Sequence, residues 1–393
     1  MKPTKTIVLT GGGSGGHLTP VLAVAAALRI EAPGYKLVYI GQKGDSLGDI
    51  MHDNPVFDEV YTVRAGKFRR YHGEGLLQIF NIKTMLLNIR DGTFVMAGFF
   101  QSLRLLRKIK PSVVFCKGGF VGVPVCVAAI VYKIPYVTHD SDALPGLANR
   151  LLGPWARIHA VGLPKELYRY AQDKTVTVGV PIHKQYRRVT EKMQQNARAV
   201  LALPQNAKVL LVIGGGLGAQ RVNVAVIDAA KKLFKDNPNL YILHVAGRGD
   251  ESVTQIAYEK KLTDTELKRV RVYGFTNEVA RLSEAATLVL TRAGATNMAE
   301  FAVQGKPCII VPNPLLTGGH QLKNAAAYQA AQAAVIVTEQ DLKTLASTIT
   351  QLISDKAKQQ QLSDRLSIMA NSGAAESLAH ILVTIANKEM VSV

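Results

Sequence analysis

Ile7-Val8-Leu9-Thr10 runs straight into Gly11-Gly12-Gly13-Ser14-Gly15-Gly16-His17, and Val209-Leu210-Leu211-Val212-Ile213 runs into Gly214-Gly215-Gly216-Leu217-Gly218-Ala219. Both stretches read as an apolar strand, a glycine turn and the start of a helix. Backbone N–H groups at such a helix start point at the ligand side, and the helix dipole favours anions there. Two copies about half a chain apart predict two nucleotide-binding-type domains with a common cleft, the substrate lying between them. The expected fold class is therefore α/β: two Rossmann-like domains with parallel sheets and an interdomain cleft.

The alternation extends outward from both copies. Strands are expected at 6–10, 36–40, 60–63, 112–116 and 136–138, with helices at 20–30 and 124–132. The stretch 75–109 reads as helical with a break at Asp91-Gly92. A connection is expected at Val178-Gly179-Val180-Pro181, followed by strands at 209–213, 241–245, 270–273, 287–290 and 308–311. The last helix, roughly 375–388, is expected to cross back onto the first domain. The boundaries so drawn are 1–180, completed by 375–393, and 181–374.

At 393 residues and 48% hydrophobic composition, each half can bury a core. No stretch reads as a secretory signal or a membrane span. Cys116, Cys126 and Cys308 fit no metal spacing and sit in apolar patterns, as small core residues do. No metal site and no cofactor is expected.

The net charge of +18 calls for an anionic partner. Residues 64–110 carry ten Lys/Arg and only Glu74 and Asp91 as acids, interleaved with Leu76, Leu77, Ile79, Phe80, Phe94, Val95, Phe99 and Phe100. Basic and apolar character together are a membrane-interface signature. The same aromatics could instead be core beneath a solvated charged face. No nucleic-acid-binding motif is present, and no nucleic-acid partner is expected.

Gly11, Gly13 and Gly16 satisfy the dinucleotide G-x-G-x-x-G formally, but Tyr39-Ile40-Gly41-Gln42-Lys43 supplies no acid for a ribose at the end of the second strand, which argues against NAD and FAD. Neither loop carries a P-loop Lys-Ser/Thr. His17 closes the first loop, and an unperturbed imidazole near pH 6.5 is suited to accepting a proton. The densest constellation runs from Thr291 to Asn324. Thr291-Arg292-Ala293-Gly294-Ala295-Thr296-Asn297 turns a strand into a helix start, and Glu300 stands where a carboxylate can accept from two ribose hydroxyls. Gly318-Gly319-His320-Gln321 and Asn324 add polar groups at the next helix start.

These residues carry a resemblance. Gly12-Gly13-Ser14-Gly15-Gly16-His17-Leu18-Thr19-Pro20, Leu144-Pro145-Gly146-Leu147-Ala148-Asn149-Arg150, and Arg292-Ala293-Gly294-Ala295 with Glu300, Gly305-Lys306-Pro307, His320-Gln321 and Asn324 resemble the motifs of the MurG family in glycosyltransferase family 28. The resemblance implies the GT-B architecture. It implies an inverting hexosyltransferase that moves N-acetylglucosamine from UDP-N-acetylglucosamine to the 4-hydroxyl of undecaprenyl-pyrophosphoryl-N-acetylmuramoyl-pentapeptide in peptidoglycan synthesis. A related enzyme with another lipid acceptor is the alternative.

The resemblance also assigns roles by position. Glu300 would bind the uridine ribose. Ala295, Thr296 and Asn297 would lie around the diphosphate, Gln321 with His320 and Asn324 at the sugar, and Phe275 and Thr276 beside the uracil. Ser14, Gly15, Gly16 and His17 would face the acceptor diphosphate and the reacting hydroxyl. His17 is the expected general base and Asp140 the alternative. Three positions depart from the family pattern. Gly216 replaces a hydroxyl residue, Asp142 replaces a substrate-contacting amide, and His183 replaces an arginine after the linker, with Arg187 and Arg188 close by. The partners implied are UDP-N-acetylglucosamine, the lipid-linked muramoyl-peptide and, through residues 64–110, an anionic membrane surface at the cytoplasmic face of the cell membrane.

Overall fold

The structure, a computed structural model, describes residues 5–12, 15–45, 51–66, 82–215 and 218–388. The chain divides into two compact units, Met1–Lys184 with Asn371–Val393, and Gln185–Ala370.

Among the described residues of the first unit seven strands form one parallel sheet: β1 (Thr6–Thr10), β2 (Lys36–Gln42), β3 (Glu59–Val63), β4 (Val113–Cys116), β5 (Tyr136–Asp140), β6 (Ile158–Val161) and β7 (Thr175–Thr177). Their order is β3-β2-β1-β4-β5-β6-β7. β1 is buried at every position, as a strand covered on both faces must be, and that is why it reads as an unbroken apolar run. Its residues divide by parity. Ile7 and Leu9 pack with the helices Gly15–Glu31 and Ala374–Ala386, whereas Val8 packs with Ile82–Ile109 and Gly122–Val131 on the other face. The terminal helix is further tied to this unit by Lys184–Glu376 at 3.1 Å and His380–Glu31 at 2.9 Å.

The second unit repeats the plan with β8 (Lys208–Ile213), β9 (Leu240–Val245), β10 (Val270–Tyr273), β11 (Leu288–Thr291), β12 (Cys308–Ile310) and β13 (Val335–Ile336), in the order β10-β9-β8-β11-β12-β13, all parallel. Val209, Leu211 and Ile213 face one core, Leu210 and Val212 the other. In both sheets the strand order reverses beside the first strand, between β1 and β4 and between β8 and β11. Ligands of open α/β sheets bind at the carboxyl ends of the strands at that reversal, where neighbouring connections leave on opposite faces and open a crevice. Both glycine loops emerge there.

Two helices differ from expectation. The first begins at Gly15 rather than Pro20. Proline lacks an N–H, so inside the helix it forgoes one intrahelical bond, to the Gly16 carbonyl, and the extra turn carries His17 into the helix. The second runs unbroken from Ile82 to Ile109 through Asp91-Gly92. Glycine within a helix costs about 1 kcal/mol relative to alanine, which packing offsets. The side chain of Asp91 is buried beside Arg90 at 3.1 Å, and a Cβ at Gly66 would fall 2.0 Å from the Asp91 carbonyl oxygen, so the backbones touch there. All three cysteines are buried and unbridged.

Candidate active site

At the reversal in the first unit, the loop after β4 packs onto the loop after β1. Gly118 and Gly119 have φ of +95° and +80°, which glycine adopts without strain. A Cβ at Gly119 would come within 2.7 Å of the Gly12 carbonyl oxygen and 3.0 Å of His17 Nδ1. His17 Nδ1 lies 2.9 Å from that same carbonyl. A carbonyl only accepts, so the neutral ring carries its proton on Nδ1 and presents a lone pair on Nε2. The ring is not poised near its ordinary value, as the sequence suggested. Burial first, and the neighbouring Lys117 charge second, push it down to about 4, against the Gly12 bond and Asp142, which raise it. It is a neutral imidazole throughout the physiological range.

Asp140 ends β5 and is buried. Its carboxylate accepts from Tyr170 Oη at 2.9 Å, Asn149 Nδ2 at 3.0 Å and the Gly146 N–H at 3.1 Å. Burial raises its pKa, and these bonds and Lys117 oppose that. Three donors give Asp140 the work of shaping residues 141–146. Asn149 also donates to the His139 carbonyl at 3.0 Å and lies against Gly118, so it joins that turn to the loop after β4. The Asp142 carbonyl accepts from Tyr168 Oη at 3.0 Å. Gly15 and Gly16 form the first turn of the His17 helix, while Ser14 lies outside the described residues. His183 is exposed on the segment leaving this unit.

At the reversal in the second unit, Gly294 precedes the helix Ala295–Gln304 and makes no side-chain cap, so the first N–H groups of the helix, those of Ala295, Thr296 and Asn297, receive no hydrogen bond from the cap residue's side chain. Glu300, on the same helix, is 7% exposed. Burial pushes its carboxyl up to about 8, opposed by a hydrogen bond from Tyr186. Gln321 accepts from the Asn313 N–H at 2.9 Å through Oε1, which turns Nε2 outward from that bond. Asn324 is buried and donates to the Ala293 carbonyl at 2.9 Å, so it fixes the turn that presents the helix start. His320 opens its helix after Gly318 and Gly319, with φ of +74° and +66°. Phe275 is half exposed beneath the Arg248 guanidinium, 4.3 Å from the ring centroid. Thr276 Oγ1 accepts from the Glu278 N–H at 3.0 Å. Gly216 lies outside the described residues, but Gly215 and Gly218, with φ of +94° and +76°, bracket it.

Sequence motifs pass over several residues of this arrangement. Glu339 receives Arg292 at 2.7 Å and Arg221 at 2.8 Å, joining the segments that follow β8 and β11. Arg292 also donates to the Val311 carbonyl at 3.1 Å. Of the arginines near His183, Arg188 pairs with Asp364 at 3.2 Å within the second unit. Lys306 donates to the carbonyls of Glu284 and Ala286 at 2.8 and 2.9 Å, a structural role.

Two doubly wound parallel sheets, each with a glycine loop at its strand-order reversal, and an acid buried on the helix that opens toward one of them, define the GT-B glycosyltransferase class. The glycosyltransferase family 28 N-terminal domain matches residues 7–161 and the C-terminal domain residues 209–378. The chain is 34% identical over 383 residues to the UDP-N-acetylglucosamine–N-acetylmuramyl-(pentapeptide) pyrophosphoryl-undecaprenol N-acetylglucosamine transferase of Halothermothrix orenii, covering 96% of this chain and 98% of that one. The enzyme of the same name from Clostridium kluyveri is 33% identical, with 91% and 92% covered. The crystal structure of Acinetobacter baumannii MurG superposes with a TM-score of 0.72 at 21% identity, covering 97% and 99%. The chain belongs to glycosyltransferase family 28, and the resemblance read from its motifs is borne out.

Proposed function

We propose that the protein transfers N-acetylglucosamine from UDP-N-acetylglucosamine to the 4-hydroxyl of lipid-linked N-acetylmuramoyl-pentapeptide, with inversion. The observation that carries this is the pairing of chemistries in one chain: an imidazole with an unshared Nε2 lone pair at one strand-order reversal, and a buried carboxyl group on a helix whose start has no side-chain cap at the other. Full-length similarity to enzymes so named supports the choice of substrates.

In this reading Glu300 accepts from the uridine ribose hydroxyls and Phe275 and Thr276 flank the uracil. The N–H groups of Ala295, Thr296 and Asn297 hold the diphosphate, and Gln321 Nε2, with His320 nearby, addresses the sugar. Asn324 acts by fixing the turn at Ala293. As the anomeric carbon–oxygen bond breaks, charge grows on the departing UDP, and oriented N–H donors stabilise it without reorganising. His17 Nε2 takes the proton of the attacking hydroxyl. We assign the base to His17 rather than Asp140 because the Asp140 oxygens are already bonded by three donors.

Incubation with radiolabelled UDP-N-acetylglucosamine and a short-chain muramoyl lipid analogue tests the reading. Label is expected in the lipid product, with UDP-glucose and UDP-galactose poor donors. Release of free sugar or of an epimer without lipid product would overturn it.

We further propose that the enzyme works as a peripheral protein at the cytoplasmic face of the membrane. Among the described residues no helix is long and apolar enough to cross a bilayer. On the helix Ile82–Ile109, Ile89, Met96 and Phe100 are each more than half exposed, and their spacing of seven and four residues puts them on one stripe. Arg90, Arg104, Arg107 and Lys108 lie on the same helix. Phe99 instead packs against the core, and Phe94 sits beneath Arg64 and Arg90. The residues between 67 and 81 lie outside the described set. Each basic residue near an anionic leaflet contributes on the order of 1 kcal/mol. Sedimentation is expected with anionic vesicles, weakened by salt, and much less with neutral ones. Equal binding to both would remove the electrostatic part.

A further inference from the structure

Lys117 follows β4 and is only 4% exposed. Burial lowers its pKa, because a charged ammonium is costly to take out of water, and the nearby carboxylates of Asp140 and Asp142 oppose that and favour the charged form. Its position is tightly fixed. The Lys117 N–H donates to the Thr10 carbonyl at 2.9 Å, and Gly11 faces it so closely that a Cβ there would lie 2.9 Å from Lys117 Cβ. Gly118 and Gly119 then fold the loop onto Gly12 and His17. The ammonium therefore lies at the reversal between β1 and β4, beside the helix that opens at Gly15, and it interacts electrostatically with His17, Asp140 and Asp142. The Asp140 oxygens are held by Tyr170, Asn149 and Gly146.

We propose that Lys117 is the cation that grips the diphosphate of the lipid-linked acceptor, a positioning residue for the reacting hydroxyl. This rests on the acceptor reading given above. The helix start and the buried ammonium are independent features that favour the same ligand chemistry.

The test compares two acceptors on wild type, Lys117→Met and Lys117→Arg. One is the short-chain muramoyl lipid analogue with its diphosphate. The other is a muramoyl-peptide carrying a neutral alkyl group in place of the diphosphate. Lys117→Met is expected to raise KM for the diphosphate acceptor about 10–100-fold, the worth of a hydrogen bond to a charged group, with KM for UDP-N-acetylglucosamine unchanged. Lys117→Arg should recover part of the loss. With the neutral acceptor, wild type and Lys117→Met should have the same KM. Equal KM values with the diphosphate acceptor would overturn the proposal, and so would an equal loss with both acceptors, which marks a structural lysine. If wild type itself transfers no sugar to either acceptor, the acceptor reading falls instead.

Discussion

His17→Ala is expected to lower kcat by about 10²–10⁴, the usual contribution of a positioned general base, while KM for UDP-N-acetylglucosamine stays within a small factor of wild type. The donor is held by the second unit in the proposed mechanism, so loss of an imidazole from the first should not weaken its binding. His17→Asn separates the base from the scaffold. Its side-chain amide can still reach the Gly12 carbonyl that His17 Nδ1 bonds at 2.9 Å, but it has no counterpart to Nε2. If the ring only braces the glycine loop, His17→Asn keeps most of the activity. If Nε2 takes the proton, Asn is as poor as Ala. An Asn variant near wild-type kcat would remove His17 from the chemistry and leave Asp140 as the candidate.

The pH profile gives the same argument a second readout. In the ligand-free protein His17 holds its proton only below about 4. At saturating UDP-N-acetylglucosamine, kcat/KM for the acceptor reports the free group and should show no acid limb from His17 between about pH 8 and about pH 5. A limb near the ordinary imidazole value that disappears in His17→Asn would contradict the burial of the ring and the influence of Lys117.

What the sequence discloses here, and what it hides, follows from the range of the forces involved. Strands covered on both faces must be apolar throughout, so β1, β4, β8 and β11 announce themselves, and the glycine runs mark where the backbone must turn tightly. Those local signals place the two reversals and the residues on them. Helix limits were less legible. Pro20 suggested a start that the chain reaches five residues earlier, and Asp91-Gly92 suggested a break that tertiary contact with Gly66 suppresses. The partners of the site were not legible at all. Tyr186 meets Glu300, Glu339 meets Arg292 and Arg221, and Tyr170 meets Asp140 only because the fold joins distant segments. For the same reason the imidazole's shift was invisible: it arises from burial and from Lys117, one loop away in space.

Glu300 should govern donor affinity, and it should do so with a pH dependence that the donor itself cannot supply. Two hydrogen bonds to a carboxylate, each worth about 1.5–3 kcal/mol, set the loss in kcat/KM for UDP-N-acetylglucosamine in Glu300→Ala at about 10²–10⁴. The sign of the pH effect follows from the raised pKa. With burial holding the carboxyl up to about 8, the free protein at neutral pH carries it mainly protonated. Only the ionised form accepts from both ribose hydroxyls, so donor binding must expel a proton below that value. KM for UDP-N-acetylglucosamine should therefore fall as pH rises from about 6 to about 8, approaching tenfold per unit, and level off above. The diphosphate diester of the donor keeps its charge over this range, so the slope belongs to the protein. Glu300→Gln should bind more weakly and show no slope. Tyr186→Phe removes the bond that favours the ionised form, so its profile should move to higher pH. Calorimetric titration of the donor at pH 7 in buffers of different ionisation enthalpy reads the expelled proton directly. A wild-type protein that releases none, with the same affinity at pH 6 and pH 8, would show that the ribose contact is not made by this carboxylate.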